Sequence, residues 1–241
     1  MNSNTPYHIA FIMDGNGRWA KSKGMRRSQG HKAGFEHIPD ILEYCQELGV
    51  KVVSGYAWST ENWNRPPEEV RFIMKSLERE LMRFVKELDK RNVRFFHSGS
   101  RERLSKKALT VIDEAMDLTR NNGPQTFNLA FNYGGRAEIV NVARRILAAK
   151  LNADSVCEEV VDEHLWTHGL PDVDLLVRTG FERRTSNFLL WQSAHAVLHF
   201  VDAFWPDVTK EHIKDAVKSY QRAHAQRNLA PPPTLTTIPA L

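Results

Sequence analysis

Cysteine is scarce: Cys45 and Cys157 are the two in 241 residues, and no CxxC pair occurs. That excludes a disulfide scaffold and a zinc-finger site, and points to a reducing compartment. No run of about 18 apolar residues is present to span a bilayer. Met1 to Tyr7 is polar and lacks the apolar stretch of a secretion signal, so a cytoplasmic location is expected. Repeats and low-complexity tracts are absent. The tail from Asn228 onward, with Pro231, Pro232 and Pro233, has the composition of a disordered end, and residues 1–227 are expected to form a single domain.

Carboxylates are missing where bases are dense. Arg18, Lys21, Lys23, Arg26, Arg27 and Lys32 occur with no acidic residue among them, although the whole chain is only +4. A second basic group, Arg178, Arg183 and Arg184, follows an apolar run. These bases lie in Gly-rich, loop-like sequence, with no RNP, zinc-finger or helix-turn-helix pattern, so small anions are expected and nucleic acid is not.

Short apolar runs alternate with helical periodicity. Strands are expected at Tyr7–Met13, Val50–Ala57, Val93–His97, Phe127–Asn132, Val173–Val177 and Val197–Val201, spaced for crossover helices. Runs such as IAFIM and VDLLV are continuously apolar, as parallel strands covered on both faces must be. The fold class is therefore α/β: a six-stranded, mostly parallel sheet flanked by helices on both sides. The clearest helix spans Pro67 to Arg91, with Val70, Ile73, Met74, Leu77, Leu81, Phe84, Val85 and Leu88 on one face.

The first strand runs into Asp14-Gly15-Asn16-Gly17-Arg18-Trp19-Ala20, and ligands of open parallel sheets bind at the carboxyl ends of strands. Gly15, Gly17 and Ala20 fit a dinucleotide fingerprint literally, but the second strand ends on Trp58-Ser59-Thr60 without an acidic residue for a ribose. A Walker A loop fails at Ala20, where glycine is required. Asp14 fits neither pattern. A carboxylate before a phosphate loop repels its ligand unless a cation intervenes, which implies Mg²⁺; alternatively Asp14 caps the next helix. After the fifth strand, Arg178, Arg184 and Ser186 form a second group suited to phosphate oxygens.

Together, HIAFIMDGNGRWA, GHKAG, SxENWNRP, NYGGR, RTxxExRxSNFLLWQ and WPD resemble the cis-prenyltransferases, over about residues 7–222. The resemblance implies a homodimer whose subunits carry an apolar substrate tunnel, and condensation of isopentenyl diphosphate with an allylic diphosphate to make a cis double bond. It implies Asp14 as the magnesium ligand and Gly15, Asn16, Gly17, Arg18, Arg27 and His31 as the allylic diphosphate cradle, with Trp19 nearby. Ser59, Thr60, Glu61, Asn62, Trp63 and Arg65 match the second substrate loop, with Asn62 as proton acceptor, and Arg178, Arg184, Thr185 and Ser186 match the isopentenyl diphosphate site. The tunnel is expected between the 67–91 helix and Phe95, Phe96 and Phe131. Membrane contact is expected to be at most peripheral.

Three departures from the family pattern stand out. Val197 replaces a metal-binding glutamate, with His199 on the same strand face; Phe181 replaces a glycine, which costs access to positive φ; and the Arg-rich ending with Phe-Gly is missing. The first implies that metal binding rests more on Asp14. The departures leave open an irregular coupling of allylic diphosphates, prenylation of another acceptor, or a non-catalytic role.

Overall fold

The computed structural model describes residues 5–229. Six strands, β1 (His8–Ile12), β2 (Val52–Ser59), β3 (Val93–Ser98), β4 (Gln125–Tyr133), β5 (Leu175–Arg178) and β6 (Val197–Phe200), form one sheet in the order β3-β4-β2-β1-β5-β6. Every pairing is parallel. All six expected strands are present, and the sheet is parallel throughout. The helices are α1 (Asn16–Ser22), α2 (Arg27–Glu36), α3 (Ile38–Glu47), α4 (Pro67–Lys90), α5 (Lys106–Leu118), α6 (Gly135–Ala148), α7 (Glu158–His164) and α8 (Lys210–Leu229). The chain leaves β1 for β2 on one side and reaches β5 on the other, so the switch point of the sheet, where a ligand crevice opens, lies at the carboxyl end of β1.

Side chains alternate between two unequal cores, as period 2 requires. Ile9 and Phe11 join the large cluster, which takes Ile41 and Leu42 from α3, Leu81 and Phe84 from α4, Ile112 from α5 and Ile213 from α8. Ala10 and Ile12 join a small one with Leu176, Phe188 and Leu189. Helices cover both faces as expected: α3, α4, α5 and α8 pack on the large cluster, and α6 reaches the small one through Glu138, which is buried and accepts the Tyr133 hydroxyl. Trp166, Phe188 and Leu189, from irregular chain, add the apolar side chains that complete the small cluster.

α4 begins with prolines at 66 and 67 and Glu68 and Glu69 in its first turn, and has Lys90 in its last, which suits the helix dipole at both ends. Leu77, Leu81, Phe84, Val85 and Leu88 are buried. At about 1.5–3 kcal/mol each, these five side chains rival the net stability of a whole domain. The second half of α4 is thus its anchor, while Phe72 and Ile73 in the first half border open space. α8 continues through Asn228 to Leu229, so those two residues are helical; the rest of the expected tail lies outside the described residues. Among the described residues no helix is long and apolar enough to cross a membrane.

Candidate active site

A cleft of about 1780 Å³ opens at the carboxyl ends of β1, β2 and β5. Asp14 stands at its centre. The chain turns tightly after β1, with Asp14 N–H on the Ile12 carbonyl at 2.9 Å, and the Asp14 carbonyl is pinned by the Thr179 hydroxyl at 2.8 Å and Trp205 N–H at 3.1 Å. Gly15, at φ 105°, is the cap residue of α1, so Asp14 is not the helix cap. A Cβ on Gly15 would lie 2.6 Å from the Phe204 ring, which reserves the position for glycine. The Asp14 carboxylate accepts Gly15 N–H at 2.6 Å and Arg178 Nη2 at 2.8 Å, with Arg18 Nη2 at 3.3 Å.

α2 is brought against α1 by the glycines of GHKAG. A Cβ at Gly30 would lie 2.0 Å from the Asn16 carbonyl oxygen, and one at Gly34 would lie 2.1 Å from Asn16 Oδ1. This close approach sets Arg27 and His31 at the cleft wall. Arg27 and Arg65 share the Glu69 carboxylate, at 3.3 and 2.8 Å. His31 is mostly buried and its Nε2 has no protein partner. Burial, reinforced by the Arg27 and Arg65 guanidinium groups, lowers its pKa, so the neutral imidazole faces the cleft.

Arg178 is 4% exposed and ends β5. Its Nη1 donates to the Arg184 carbonyl at 2.6 Å and the Ser186 hydroxyl at 2.5 Å, while Nη2 holds Asp14. Arg184 pairs with Glu182, which also lies 4.0 Å from Arg18. At the end of β2 a register shift against β4 re-aims the strand at Trp58. Ser59 then caps a short 3-10 turn, and Asn62 Oδ1 accepts Ser59 N–H at 3.2 Å. Burial raises the Glu61 pKa, but hydrogen bonds from the Ser59 hydroxyl, its own N–H, Asn187 and the Thr60 hydroxyl outweigh it and keep the group ionised.

Gly15, Asn16, Gly17, Arg18, Arg27, His31, Ser59, Glu61, Asn62, Arg65, Arg178, Arg184 and Ser186 therefore line the cleft together with Asp14. Trp19, Thr60, Trp63 and Thr185 do not line it. The Trp19 indole donates to Asp207 at 2.7 Å and carries Lys23 over its ring. The Trp63 indole donates to Asn132 Oδ1 at 2.7 Å, with Arg103 stacked on it at 4.3 Å and Trp58 at its edge. The apolar floor is built by Phe35, Ile73, Leu77, Leu81, Phe84, Leu129 and Phe131. Phe95 is buried in the large core and Phe96 lies outside the cleft, so of the three expected phenylalanines only Phe131 faces it. Three further residues belong to the site: Glu69, which braces two arginines four residues beyond Arg65 and carries no motif signal, and Arg136 and Asn187, which stand inside the NYGGR and SNFLLWQ motifs.

Two of the departures look different in three dimensions. Val197 pairs with Leu175 at the amino end of β6, whereas Asp14 lies beyond the carboxyl end of β1. Within one subunit position 197 is therefore remote from Asp14, and a side chain there would not share a cation with the Asp14 of its own subunit. His199 is engaged with Ser219 on α8 at 3.0 Å. Phe181 keeps a left-handed φ of 64° despite its Cβ, a strain of about 1–2 kcal/mol. It is 53% exposed and meets the Phe204 ring edge-on at 5.2 Å.

Among the described residues no group of three or more His, Cys, Asp or Glu side chains could enclose a metal. The partly exposed Asp14 carboxylate, with Arg18 and Arg178 beside it to meet further anionic oxygens, instead fits a hard cation bound by one carboxylate, phosphate oxygens and water.

Guanidinium groups gathered around Asp14, over an apolar floor at the sheet's switch point, suit a molecule with an anionic head and a hydrocarbon tail. Comparison with known proteins agrees. The prenyltransferase family model for undecaprenyl diphosphate synthase matches residues 12–228. Isoprenyl transferases from Streptococcus thermophilus (43% identical over 229 residues, 92% of each chain) and Fusobacterium nucleatum (44% over 222 residues, 92% of this chain and 95% of that one) are similar in sequence. The crystal structure of lavandulyl diphosphate synthase from Lavandula x intermedia in complex with dimethylallyl diphosphate superposes with a TM-score of 0.86 at 36% identity, covering 91% of this chain and 97% of that one. A probable undecaprenyl diphosphate synthase from Campylobacter jejuni gives 0.75 at 33% identity, covering 92% and 96%. The chain belongs to the undecaprenyl diphosphate synthase family, the cis-prenyltransferases.

Proposed function

We propose that this prenyltransferase condenses isopentenyl diphosphate with an allylic prenyl diphosphate to give a cis (Z) polyprenyl diphosphate. The observation that carries this reading is the joining of two anion-binding groups, Arg18–Arg27–His31 and Arg178–Arg184–Ser186, across Asp14 and above one apolar floor. The first group holds the allylic diphosphate and the second the isopentenyl diphosphate. Mg²⁺, held by Asp14 with diphosphate oxygens, would neutralise charge on the leaving group. The arginines stabilise the departing diphosphate as it takes the electron pair of the allylic C–O bond. The π electrons of isopentenyl diphosphate form the new C–C bond, and a proton is lost. Asn62 Oδ1, with one lone pair beyond the Ser59 N–H, is the acceptor along which that proton passes to the released diphosphate, the base that keeps it. The floor of Leu81, Phe84 and Phe131 keeps water from the allylic cation and accepts the hydrocarbon.

A homodimer working in the cytoplasm, touching membranes at most peripherally, completes the proposal. Ile139, Val140 and Leu147 on the outside of α6 are 44%, 50% and 77% exposed, an apolar row that a second copy would cover.

A second reading, coupling of two allylic diphosphates, draws support from the structural likeness to lavandulyl diphosphate synthase solved with dimethylallyl diphosphate. One experiment separates the two: purified protein, Mg²⁺, isopentenyl diphosphate and allylic primers of increasing length, with products weighed by mass spectrometry. Products longer by five-carbon units support the first reading. A product formed without isopentenyl diphosphate supports the second, and no product with any primer overturns both.

A further inference from the structure

The loops after β2 and β5 are joined by the side chain of one asparagine. Asn187 stands in left-handed backbone at φ 65°, next to Ser186 at 49° and two before Leu189 at 45°, a run that persists only where the surroundings over-determine it. Its carbonyl accepts Gly135 N–H and its Oδ1 accepts Arg136 N–H, both at 2.8 Å, so it satisfies two donors in the first turn of α6. With Oδ1 facing that N–H, the Nδ2 donates to Glu61 Oε1 at 2.5 Å, and the hydrogen-bond network fixes the amide's orientation. Glu61 Oε2 accepts the Ser59 hydroxyl at 2.6 Å and the Thr60 hydroxyl at 3.3 Å. Ser59 N–H in turn is held by Asn62 Oδ1. On the other side Ser186 is bound by Arg178, which holds Asp14. A continuous chain of contacts thus runs from Asp14 to Asn62 through Asn187. Space reinforces it: a Cβ on Gly134 would lie 2.3 Å from Thr60 Oγ1 and 3.1 Å from Asn187 Nδ2.

We propose that Asn187 is a positioning residue: through Glu61 it sets the Ser59–Asn62 loop, and with it Asn62 Oδ1, against the Arg178–Arg184–Ser186 anion site. The inference rests on the condensation reading for its catalytic meaning, but the clasp itself is a structural claim with its own readout.

The polarity of the clasp supplies the test. Asn187→Asp keeps an acceptor for Arg136 N–H at the start of α6, where a negative charge is favourable. It sets a second carboxylate against Glu61, and the two repel. Adding Glu61→Gln reverses the clasp, since the new amide can donate to the new carboxylate. Asn187→Asp is expected to lower kcat/KM for isopentenyl diphosphate about tenfold or more while the Kd of the allylic diphosphate stays within about twofold. Hydrogen–deuterium exchange over residues 59–64 should speed up. The double variant should return the exchange rate of residues 59–64 to within about threefold of the parent's, whatever its activity. Unchanged exchange in Asn187→Asp, or a double variant no better than the single ones, would overturn the clasp. Should the parent consume no isopentenyl diphosphate, the condensation reading fails by itself, and the exchange data still decide on Asn187.

Discussion

Acid should unfold this protein through two imidazoles that the fold keeps neutral. His8, in β1, is enclosed: its ring nitrogens meet the Pro171 carbonyl and the Ser54 hydroxyl, each at 2.8 Å, and Ser54 also accepts Asn128 Nδ2 at 2.9 Å. A neutral ring satisfies this set by donating from Nδ1 and accepting at Nε2. A second ring proton would leave the Ser54 hydroxyl hydrogen without a partner. His97, in β3, is equally enclosed, with Nε2 on the Phe131 carbonyl at 3.0 Å. Burial lowers both pKa values from 6.5 to about 4. Between these values the unfolded chain binds protons that the native one refuses, so stability rises with pH. The stability tied to the two neutral rings is whole above pH 6.5 and is lost as pH falls through 4. At 1.36 kcal/mol per pKa unit, each ring costs about 2 kcal/mol on going from pH 8 to pH 5, about 4 kcal/mol together. Against a typical net stability of about 5–15 kcal/mol that is a large fraction. Glu138 acts in the opposite sense. Burial raises its pKa despite hydrogen bonds from Gln192, Tyr133 and Trp166 N–H, so its protonation offsets part of the loss at the acid end. The assay is urea unfolding followed by tryptophan fluorescence at pH 8, 6.5 and 5, at fixed protein concentration. His97→Gln, which keeps a donor for the Phe131 carbonyl, should halve the pH dependence. A parent that loses less than about 1 kcal/mol over this range, or a variant with the parent's slope, would refute the reasoning.

Three substitutions probe the cleft. Asp14→Asn keeps the shape and an acceptor for Gly15 N–H but removes the charge, and should lower kcat at least about 10²-fold; retained activity would place the metal elsewhere. Trp63→Phe should cost about 1 kcal/mol of stability through the lost bond to Asn132, with both KM values unchanged, and a raised KM at parental stability would return the indole to the substrate. Phe84, on the apolar floor, packs against Phe35 at 4.9 Å and Phe127 at 5.6 Å, so Phe84→Ala opens space there and should lengthen the product by at least one five-carbon unit. Product lengths identical to the parent's by mass spectrometry would remove Phe84 from the limiting wall.

The strands could be read in advance because both faces of the sheet are covered, so a run such as Ile9-Ala10-Phe11-Ile12 is apolar throughout. The cleft could be read because Asp14 follows β1, and Ser59 and Arg178 end β2 and β5, at carboxyl ends that share one edge of a parallel sheet. Direction could not. Trp19 and Trp63 sit inside site motifs, yet each indole turns to a partner, Asp207 or Asn132, that lies far away in sequence. Nor could the sequence show that strand register places position 197 at the opposite end of the sheet from the Asp14 of the same subunit. Phe181 was expected to forfeit positive φ, but Gly180 N–H on the Ala203 carbonyl at 2.7 Å and the Phe204 ring hold the loop in that shape, so the side chain bears the strain. Asn187 went unnoticed because its role appears only where three strand ends meet.

The central claim is condensation of isopentenyl diphosphate with an allylic diphosphate to give a cis double bond, and carbon-labelled isopentenyl diphosphate tests it most directly. With an allylic primer and Mg²⁺, nuclear magnetic resonance of the product should show each labelled unit in a new Z double bond, with one diphosphate released per unit incorporated. Label absent from the product, or incorporated with E geometry, would contradict the account.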